Sequence, residues 1–469
     1  MRFERLADRV EVKPISPLAK DGAADHRPLP EAAHAGPSRP VVVQKFGGSS
    51  VADAAKMRAC AERVLEEHRA GRQVVCVVSA MGDATDDLIT LAETAQELPD
   101  RRELDQLLAT GEQVSVAMFA MVLQSLGVAA ASLTGAQAGI RTDTAYGRAS
   151  ILAVDPSRLQ SLLASGRVPV VAGFQGQTDS GDTTTLGRGG SDTTAVALAA
   201  ALKSAGHEAT TDIYKDVDGV FTADPRLVPH ARHRSVVTYD EMLEAATLGS
   251  QVIHPRAVEL AKKYGVPLRV LHSHRPGKGT IVLPEAPTME SRVVSSVVLK
   301  KNVGRVSLRG LANKPGVQAA VFGPIAARGI SIDDIMQEDD GPHTINLTFT
   351  LEKKDLAELT PIIHKAAAEL AAAGQGAQAV RVDTGLCTVS VVGAGMRTSP
   401  GVASALFDAL AAEQIRIENI TTSEIRISCI MAEADGERAV QAAHYAFGLH
   451  DEAAERAVAV KVSHRAGVV

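Results

Sequence analysis

Short apolar runs alternate with longer amphipathic stretches along the chain from Val41 onward. The runs VVVQKF, VVCVVSA, ASLTG and PVVAGF are rich in β-branched residues, and helical patterns separate them. Such alternation predicts an α/β unit with a largely parallel central sheet. Because ligands of such sheets bind at the carboxyl ends of the strands, the loops that follow these runs should converge on one edge.

The pattern changes after the run TIVLP that begins at Thr280. Two similar modules follow, VSLRGLANKPGVQAAVFGPIAARGISIDDIMQ and VSVVGAGMRTSPGVASALFDALAAEQIRIENITTSEIRIS. Each contains a strand, a Pro-Gly loop, a helix and another strand, so this internal repeat predicts two related small domains. Val293 to Leu299 form an additional strand ahead of the first module.

Two glycine-rich strand-to-helix junctions carry the candidate chemistry. They are QKFGGSSVAD, which contains Lys45, and GFQGQTDSGDTTTLGRGGSDTTA, which contains Arg188 and Asp192. Tight glycine turns at a helix N-terminus present backbone N–H groups to anions, and an arginine fork suits a carboxylate. One such loop could simply cap a helix, and neither matches a P-loop or a dinucleotide fingerprint. Two together indicate phosphoryl chemistry.

Five blocks give the chain a specific resemblance. QKFGGSSVAD, VVSAMGDATDDL, TGEQVS, TLGRGGSDTTAVALAAAL and IYKDVDGVFTADPR with GSQVIHPRAVELA resemble, in the same order, the aspartokinases of the amino-acid kinase family. The C-terminal repeat resembles paired ACT domains, which are βαββαβ units of ferredoxin-like topology that bind amino acids. The resemblance implies an amino-acid kinase fold with helices on both faces of its sheet. It also implies phosphorylation of the β-carboxylate of L-aspartate by ATP with Mg²⁺, giving 4-phospho-L-aspartate for lysine, threonine and methionine biosynthesis.

The resemblance also implies roles for individual residues. Lys45 and Asp192 are the expected catalytic pair, and no residue is expected to act as a dedicated metal ligand. The expected nucleotide-binding residues are Lys45, Phe46, Gly47, Gly48, Ser79, Tyr214, Lys215, Asp216, Val220, Phe221, Thr222, Ala223, Asp224, Pro225 and Gln251. The expected substrate-binding residues are Asp83, Ala84, Thr85, Asp86, Asp87, Glu112, Arg188, Gly189, Gly190 and Ser191. Arg188 would bind the α-carboxylate and Glu112 the α-ammonium, although Glu112 alone could also be a first-turn helix residue.

Several positions depart from the family pattern. Lys215 stands where Thr or Ser is usual, and Gln251 stands where many members have a lysine, so Lys215 either replaces that cation or is a solvated loop lysine. Asn313 and Arg416 stand where Asp and Asn are usual, so feedback regulation is either altered or normal. The residues expected to form the effector site are Asn313, Gly316, Asp333, Gln337, Arg416, Ser423 and Glu424.

Length, composition and charge set the remaining expectations. The resemblance implies that the 469 residues divide into a disordered extension at 1–40, an amino-acid kinase catalytic domain at 41–290, and ACT domains at 291–378 and 379–469. It leaves open whether the 291–300 strand is shared with the second ACT domain. A net charge of −6 implies no nucleic-acid partner. The four scattered cysteines and the lack of a long apolar stretch predict a cytoplasmic protein without a membrane partner. Exposed ACT strand edges predict a homodimer or higher oligomer, and a separate product starting near Met242 stays open.

Two alternatives to aspartate kinase activity remain at this stage. One is another amino-acid kinase of the same fold, acting on glutamate, N-acetylglutamate or a carbamate. The other is a catalytically weak regulatory homologue that senses amino acids through its ACT pair. The paired ACT tail and the TGEQ and GRGGSD blocks argue against the first. The presence of Lys45, Glu112, Arg188 and Asp192 argues against the second, whereas Gln251 keeps it open.

Overall fold

The computed structural model describes residues 39–250, 252–284, 293–396 and 399–451. The expected disordered extension, apart from Arg39 and Pro40, and the predicted nucleotide residue Gln251 lie outside the described residues. All described residues belong to one unit, Arg39–Val469. We call residues 39–284 the N-terminal part and residues 293–451 the C-terminal part.

An eight-stranded sheet organises the N-terminal part, with the order β12-β14-β13-β9-β1-β2-β6-β3. Its pairs are parallel except β13 with β14, as the alternating pattern predicted. The strands of this part are β1 (Val41–Phe46), β2 (Gln73–Val78), β3 (Ala130–Leu133), β4 (Ile140–Thr142), β5 (Ile151–Val154), β6 (Val168–Ala172), β7 (Gln175–Gln177), β8 (Thr183–Thr185), β9 (Ala209–Lys215), β10 (Val220–Phe221), β11 (His233–Arg234), β12 (Val236–Thr238), β13 (Leu268–His272) and β14 (Thr280–Leu283).

Seven α-helices connect these strands within the described N-terminal residues. They are α1 (Ala54–Arg69), α2 (Ala84–Ala95), α3 (Arg101–Ser125), α4 (Ser157–Ala164), α5 (Gly190–Ser204), α6 (Tyr239–Thr247) and α7 (Pro255–Tyr264). A second sheet, with the order β5-β4-β7-β8, and the β10-β11 hairpin lie beside the main sheet. Helix α5 is apolar on nearly all sides and contacts both β1 and β9. Such a helix must be buried, and it therefore fixes its N-terminus beside the carboxyl ends of those strands.

Helix α3 is the one described helix that is long and apolar enough to cross a membrane by length and composition alone. Half of its most apolar 18-residue window is buried inside the fold, and the helix contacts β3, β6 and β8. Two of its acidic residues, Asp105 and Glu112, are almost fully buried. Both accept hydrogen bonds from backbone N–H groups in loops of the N-terminal part, Glu112 from Ala80 and Asp105 from Gly147, so in this fold α3 is a core helix.

The C-terminal part forms one six-stranded antiparallel sheet with the order β16-β17-β15-β18-β20-β19. The first five residues of β15 pair with the end of β18, and its second half pairs with β17. The elements are β15 (Ser296–Ala312), α8 (Val317–Ala327), β16 (Ile335–Asp339), β17 (Thr344–Glu352), α9 (Leu356–Ala372), β18 (Gly376–Val392), α10 (Val402–Ala412), β19 (Asn419–Ser423), β20 (Arg426–Ala432) and α11 (Gly436–Ala446). Helices α8 and α9 pack into one hydrophobic core, which we call the first repeat unit. Helices α10 and α11 pack into another core, the second repeat unit.

Candidate active site

Three charged side chains meet where β1, β9 and α5 come together. The Nζ of Lys45, on β1, lies 2.7 Å from Oδ1 of Asp192 in the first turn of α5. The Nζ of Lys215, at the end of β9, lies 3.2 Å from Oδ2 of the same carboxylate. Parallel pairing of β1 with β9 places both lysines at the same edge of the sheet. The sequence-predicted catalytic pair is therefore in direct contact, and Lys215 adds a second cation.

This Lys–Asp–Lys cluster is almost closed to solvent. Lys45 and Asp192 expose 6% and 3% of their side chains, and Lys215 exposes 21%. Burial alone would raise the pKa of Asp192, but Lys45 and Lys215 outweigh it and hold that pKa well below its usual range. Burial, aided by the charge of Lys215, lowers the pKa of Lys45 to about 8 although Asp192 opposes the shift. The cluster has a net positive charge beside two glycine turns, so it can accept an anion.

Glycines allow the two loops to approach the cluster. A Cβ on Gly48 would lie 2.7 Å from the carbonyl oxygen of Ala80. Gly189 has a φ of +70° and forms the N-cap of α5, and a Cβ there would lie 2.1 Å from Cγ of His254. Side chains at these positions would push the loops apart. The glycines that the sequence predicted in these two turns are therefore required by the close packing around them.

Glu112 is the second buried charge of the site. Its Oε1 accepts a hydrogen bond from the backbone N–H of Ala80 at 3.1 Å. Its Oε2 is buried and has no hydrogen-bond partner among the described residues. Burial raises the pKa of Glu112 to about 7. A buried carboxylate oxygen without a donor is a natural place for a ligand ammonium group.

The other predicted substrate residues lie at the start of α2 and around the start of α5. A pocket of about 290 Å³ beside α3 is lined by Met81, Ala84, Asp87, Leu88, Thr110, Gly111 and Val114. Asp83, Asp86 and Asp87 are exposed around the start of α2, and Ala84 and Thr85 are partly exposed there. Ser191 is buried in α5 next to Gly190. Arg188, the residue expected to bind the α-carboxylate, is exposed in this conformation.

Comparisons with known proteins identify the family. A model of the amino acid kinase family matches residues 40–272, and two ACT-domain models match residues 306–368 and 389–447. The aspartokinase of Pseudomonas aeruginosa is 46% identical over 411 residues, which cover 87% of this chain and 98% of that protein. The chain belongs to the aspartokinase family. The family and the fold class predicted from the sequence are therefore confirmed.

Solved aspartokinase structures share the fold. The crystal structure of E. coli aspartokinase III with aspartate and ADP, in its R-state, has a TM-score of 0.71 at 27% identity and covers 87% of this chain and all of that one (100%). The T-state structure of the same enzyme with lysine and aspartate has a TM-score of 0.66 at 28% identity, covering 86% and 99%.

The predicted nucleotide residues of this aspartokinase fall into two groups. Those around β1 line the cluster: Gly47 and Gly48 form the turn, and the N–H of Ser79 donates to the carbonyl of Phe46 at 3.1 Å. The rings of Phe46 and Tyr214 are buried and stack with centroids 4.9 Å apart. Only the backbone of these two residues can therefore reach a ligand.

The second group follows β9 and enters the β10-β11 hairpin. Asp216 and Pro225 are exposed, Val220 is buried, and Phe221 is partly exposed. Asp224 pairs with Arg226 at 2.7 Å. The residues between Phe221 and Asp224 differ from the expectation. Thr222 and Ala223 are buried against the C-terminal part, so their side chains cannot contact a nucleotide.

Sequence reasoning missed three residues that hold the site together. Asp105 accepts hydrogen bonds from the N–H and the hydroxyl of Thr185, at 2.8 and 2.6 Å. The backbone N–H of His254 lies 3.4 Å from Oδ2 of Asp192, and Arg256 donates to the carbonyl of Leu186 at 2.6 Å. His254 and Arg256 belong to the HPRAVELA block, whose presence was noted without a role for either residue. Asp105 carries no comparable sequence signal.

The predicted effector residues lie in both repeat units of the C-terminal part. Asn313 is exposed in the first Pro-Gly loop, where Gly316 has a φ of +96° and caps α8. Asp333 pairs with Lys300 at 2.6 Å. Oε1 of Gln337, on β16, accepts a hydrogen bond at 2.9 Å.

In the second unit, Ser423 and Glu424 line a groove of about 280 Å³ beside the second Pro-Gly loop. The hydroxyl of Ser423 donates to Glu244 of α6 at 3.1 Å. Arg426 lies 3.7 Å from Glu244 and 3.6 Å from Asp334, so this groove adjoins an ionic link to the N-terminal part. Arg416 is highly exposed and pairs with its neighbour Glu418 at 3.4 Å.

Proposed function

We propose that this chain is an aspartate kinase that transfers the γ-phosphoryl group of ATP to the β-carboxylate of L-aspartate. The observations that carry the proposal are the buried Lys45–Asp192–Lys215 cluster and the unpartnered carboxylate oxygen of Glu112. One site is suited to phosphate and the other to an amino-acid ammonium. Aspartokinase III binds aspartate and ADP in its R-state structure, which supports the same pair of ligands here.

Phosphoryl transfer to a carboxylate depends on charge neutralisation and on positioning of the substrates more than on a general base. The β-carboxylate of aspartate is ionised at neutral pH, so one of its oxygens can attack the γ-phosphorus without losing a proton. The bond between that phosphorus and the β–γ bridging oxygen breaks, and ADP leaves. Lys45 and Lys215 neutralise charge on the transferring group. Asp192 holds both ammonium groups in place before the nucleotide arrives.

Glu112 and Arg188 would bind the amino-acid end of the substrate. The carboxylate of Glu112 pairs with the α-ammonium, and Arg188 approaches the α-carboxylate from the exposed side as a bidentate donor. Because Arg188 is exposed in this conformation, the proposal requires its side chain to turn towards the substrate. Gly187 and Gly189 pack closely against Gly147 and His254, so the movement is assigned to the arginine side chain and not to the loop.

Magnesium is expected to enter with the nucleotide. No group of three or more His, Cys, Asp or Glu side chains suited to a metal occurs among the described residues, and the lysines already occupy both oxygens of Asp192. Mg²⁺ commonly binds through phosphates, waters and one or two carboxylates, so this arrangement fits an ion held chiefly by ATP. When bound, the ion would neutralise charge on the phosphates.

The C-terminal part is proposed to bind a regulatory amino acid and to form a dimer. The T-state structure of aspartokinase III contains lysine, which supports lysine as a first candidate and threonine as a second. In the described part of the chain β16 and β19 are the edge strands of the six-stranded sheet, and paired edges would join two copies. A cytoplasmic location stays a prediction.

A hydroxamate assay tests the proposal. Purified protein with MgATP should form acyl hydroxamate from aspartate and not from glutamate or N-acetylglutamate. Preference for either of the other substrates would indicate a different amino-acid kinase, and no turnover alongside retained lysine or threonine binding would indicate a regulatory homologue. Repeating the assay with lysine and threonine would identify the effector, and light scattering would give the oligomeric state.

A further inference from the structure

The connection of the β10-β11 hairpin packs against the second repeat unit of the C-terminal part. Ala223 and Val228, both in the hairpin connection, belong to the same hydrophobic core as Leu406, Met431 and Ala443 of that unit. Ala223 is 4% exposed and Val228 is 1% exposed. A loop that carries predicted nucleotide residues on one side therefore supplies core residues to the regulatory unit on its other side.

Hydrogen bonds from α11 fix the position of this connection. Nε2 of His444 lies 2.9 Å from Oγ1 of Thr222, and both residues are fully buried. The same hydroxyl accepts the N–H of Arg232 at 2.9 Å, which closes the loop on itself. The side chain of Gln441, one turn earlier on α11, donates to the carbonyl of Leu227 at 2.9 Å.

Two further bonds come from the chain segments on either side of this contact. The N–H of Val297, in β15, donates to the carbonyl of Thr222 at 2.8 Å. The side chain of Arg232 donates to the carbonyl of Leu449, just beyond α11, at 2.7 Å. A buried hydroxyl and imidazole strongly favour remaining paired, because separating them would leave polar atoms in an apolar core. The loop cannot move away from α11 without that cost.

We propose that α11, through His444, positions the nucleotide-binding segment and thereby sets the enzyme's affinity for ATP. This inference depends on the proposed function, since it requires that Val220–Pro225 lie against the nucleotide. Thr222 and Ala223 are then positioning residues that act through the backbone of Phe221 and Asp224. The second repeat unit is part of the support of the nucleotide site as well as a regulatory module.

The test is a comparison of His444→Phe, Thr222→Val and the double variant. Each single change removes one partner of the buried hydrogen bond; Thr222→Val keeps the side-chain volume, and His444→Phe keeps a flat aromatic ring of somewhat larger size. We expect the Kd for ADP, measured by calorimetry, and the KM for ATP to rise about three- to tenfold, the range expected for one lost buried hydrogen bond. The KM for aspartate should stay constant. The double variant should be no worse than Thr222→Val alone, because Thr222→Val already loses the bond to His444 as well as the bond from the N–H of Arg232.

Ser390→Ala is the matched control. Its hydroxyl makes an equally buried hydrogen bond to Ser428 at 2.6 Å in the same repeat unit, between β18 and β20 rather than to the hairpin. This variant should change thermal stability but not ADP affinity. Equal effects of His444→Phe and Ser390→Ala on ADP affinity, or a parallel rise in both KM values, would overturn the inference.

Further variants separate the remaining outcomes. If His444→Phe does not fold, Gln441→Ala removes only an exposed bond to the loop and should still weaken ADP binding measurably. Unchanged ADP affinity in Gln441→Ala and Thr222→Val would then refute the positioning role. Absence of ADP binding and aspartate turnover in the unmodified protein would instead refute the proposed function.

Discussion

The phosphoryl centre and the predicted effector residues hold their charges in different ways. In the centre, Asp192 is surrounded by two lysines in a nearly dry environment, and each charge is compensated mainly by the others. At the effector positions, Asp333 and Arg416 each pair with one neighbour and remain open to water. Breaking a buried ionic cluster costs several kcal/mol, whereas an exposed pair contributes about 1 kcal/mol or less.

This difference explains where departures from the family pattern can be tolerated. Asn313 and Arg416 are exposed, so substitutions there change the charge seen by a ligand without disturbing the fold. Lys215 is different, because its ammonium group contacts a buried carboxylate. A lysine at that position changes the charge of the buried cluster that we propose as the phosphoryl centre. The other interpretation of Lys215 from the sequence, a solvated loop lysine, does not agree with this contact.

The largest expected effect comes from Lys45→Met. The change keeps the aliphatic stem but removes the cation closest to Asp192, while Lys215 still compensates that carboxylate. We expect kcat to fall at least about 100-fold, as for loss of a preorganised transition-state donor, with a smaller change in ADP affinity. The hydroxamate assay, run as a stopped or a steady-state measurement, gives kcat, and calorimetry gives the affinity for ADP. Lys262→Met, which breaks an exposed pair with Asp240, is the control and should stay within about twofold.

Equal losses in kcat and in nucleotide affinity for Lys45→Met would mean that the lysine serves ordinary binding. If Lys45→Met kept full turnover, the buried cluster would have no part in the mechanism. The difference in burial between the cluster and the predicted effector residues would then be unrelated to catalysis.

Glu112→Gln tests the second buried charge through its pH dependence. A pKa of about 7 means that the carboxylate is mostly protonated at pH 6 and mostly ionised at pH 8. If the ionised form binds the substrate ammonium, the KM for aspartate should fall roughly tenfold between these values. The glutamine variant should show a flat profile, with a KM at pH 8 raised by more than about tenfold. Glu103→Gln, on the exposed side of α3, should keep the original profile.

The same group affects stability with a definite sign. Its pKa is raised in the folded state, so between about pH 4.5 and 7 the folded protein holds a proton that the unfolded chain has released. The free energy of unfolding of the ligand-free enzyme should therefore fall as pH rises through this window, relative to Glu112→Gln. A wild-type curve parallel to that of the variant would contradict the buried assignment.

The sequence predicted the parts of this site that depend on local chain chemistry. The glycine turns at Gly48 and Gly189 and the pairing of Lys45 with Asp192 follow from motifs on predicted strand-to-helix junctions. The burial of the Tyr214 ring could not be predicted, because one step along a strand decides which face a side chain occupies. The burial of Thr222 depends on how two domains dock, and no local pattern contains that information.

Arg188→Ala should have a smaller effect than the buried substitutions. The side chain is exposed in this conformation, so water partly replaces what it loses. We expect kcat/KM for aspartate to fall at least about tenfold, equivalent to about 1.4 kcal/mol, with little change in the KM for ATP. Arg188→Lys should be intermediate, since it keeps the charge but loses the bidentate fork. Arg141→Ala, another exposed arginine of the N-terminal part, is the control. A loss below tenfold would assign the α-carboxylate to another group.

The smallest expected effect concerns Lys215, and it decides whether the departure at this position compensates for Gln251. Lys215→Thr restores the usual family residue and leaves Asp192 paired with Lys45 alone. Because the ammonium group of Lys215 is partly exposed and one lysine remains, we expect a roughly three- to tenfold loss in kcat/KM for ATP. If the two positions serve one phosphate group, adding Gln251→Lys should restore most of that loss, and the two changes should be strongly non-additive. Gln251→Lys in the original background should then bring little or no gain.

A harmless Lys215→Thr variant would reduce the contact with Asp192 to a structural ion pair. A loss that Gln251→Lys cannot repair would show that Lys215 has its own role in the centre, distinct from the lysine that many relatives carry.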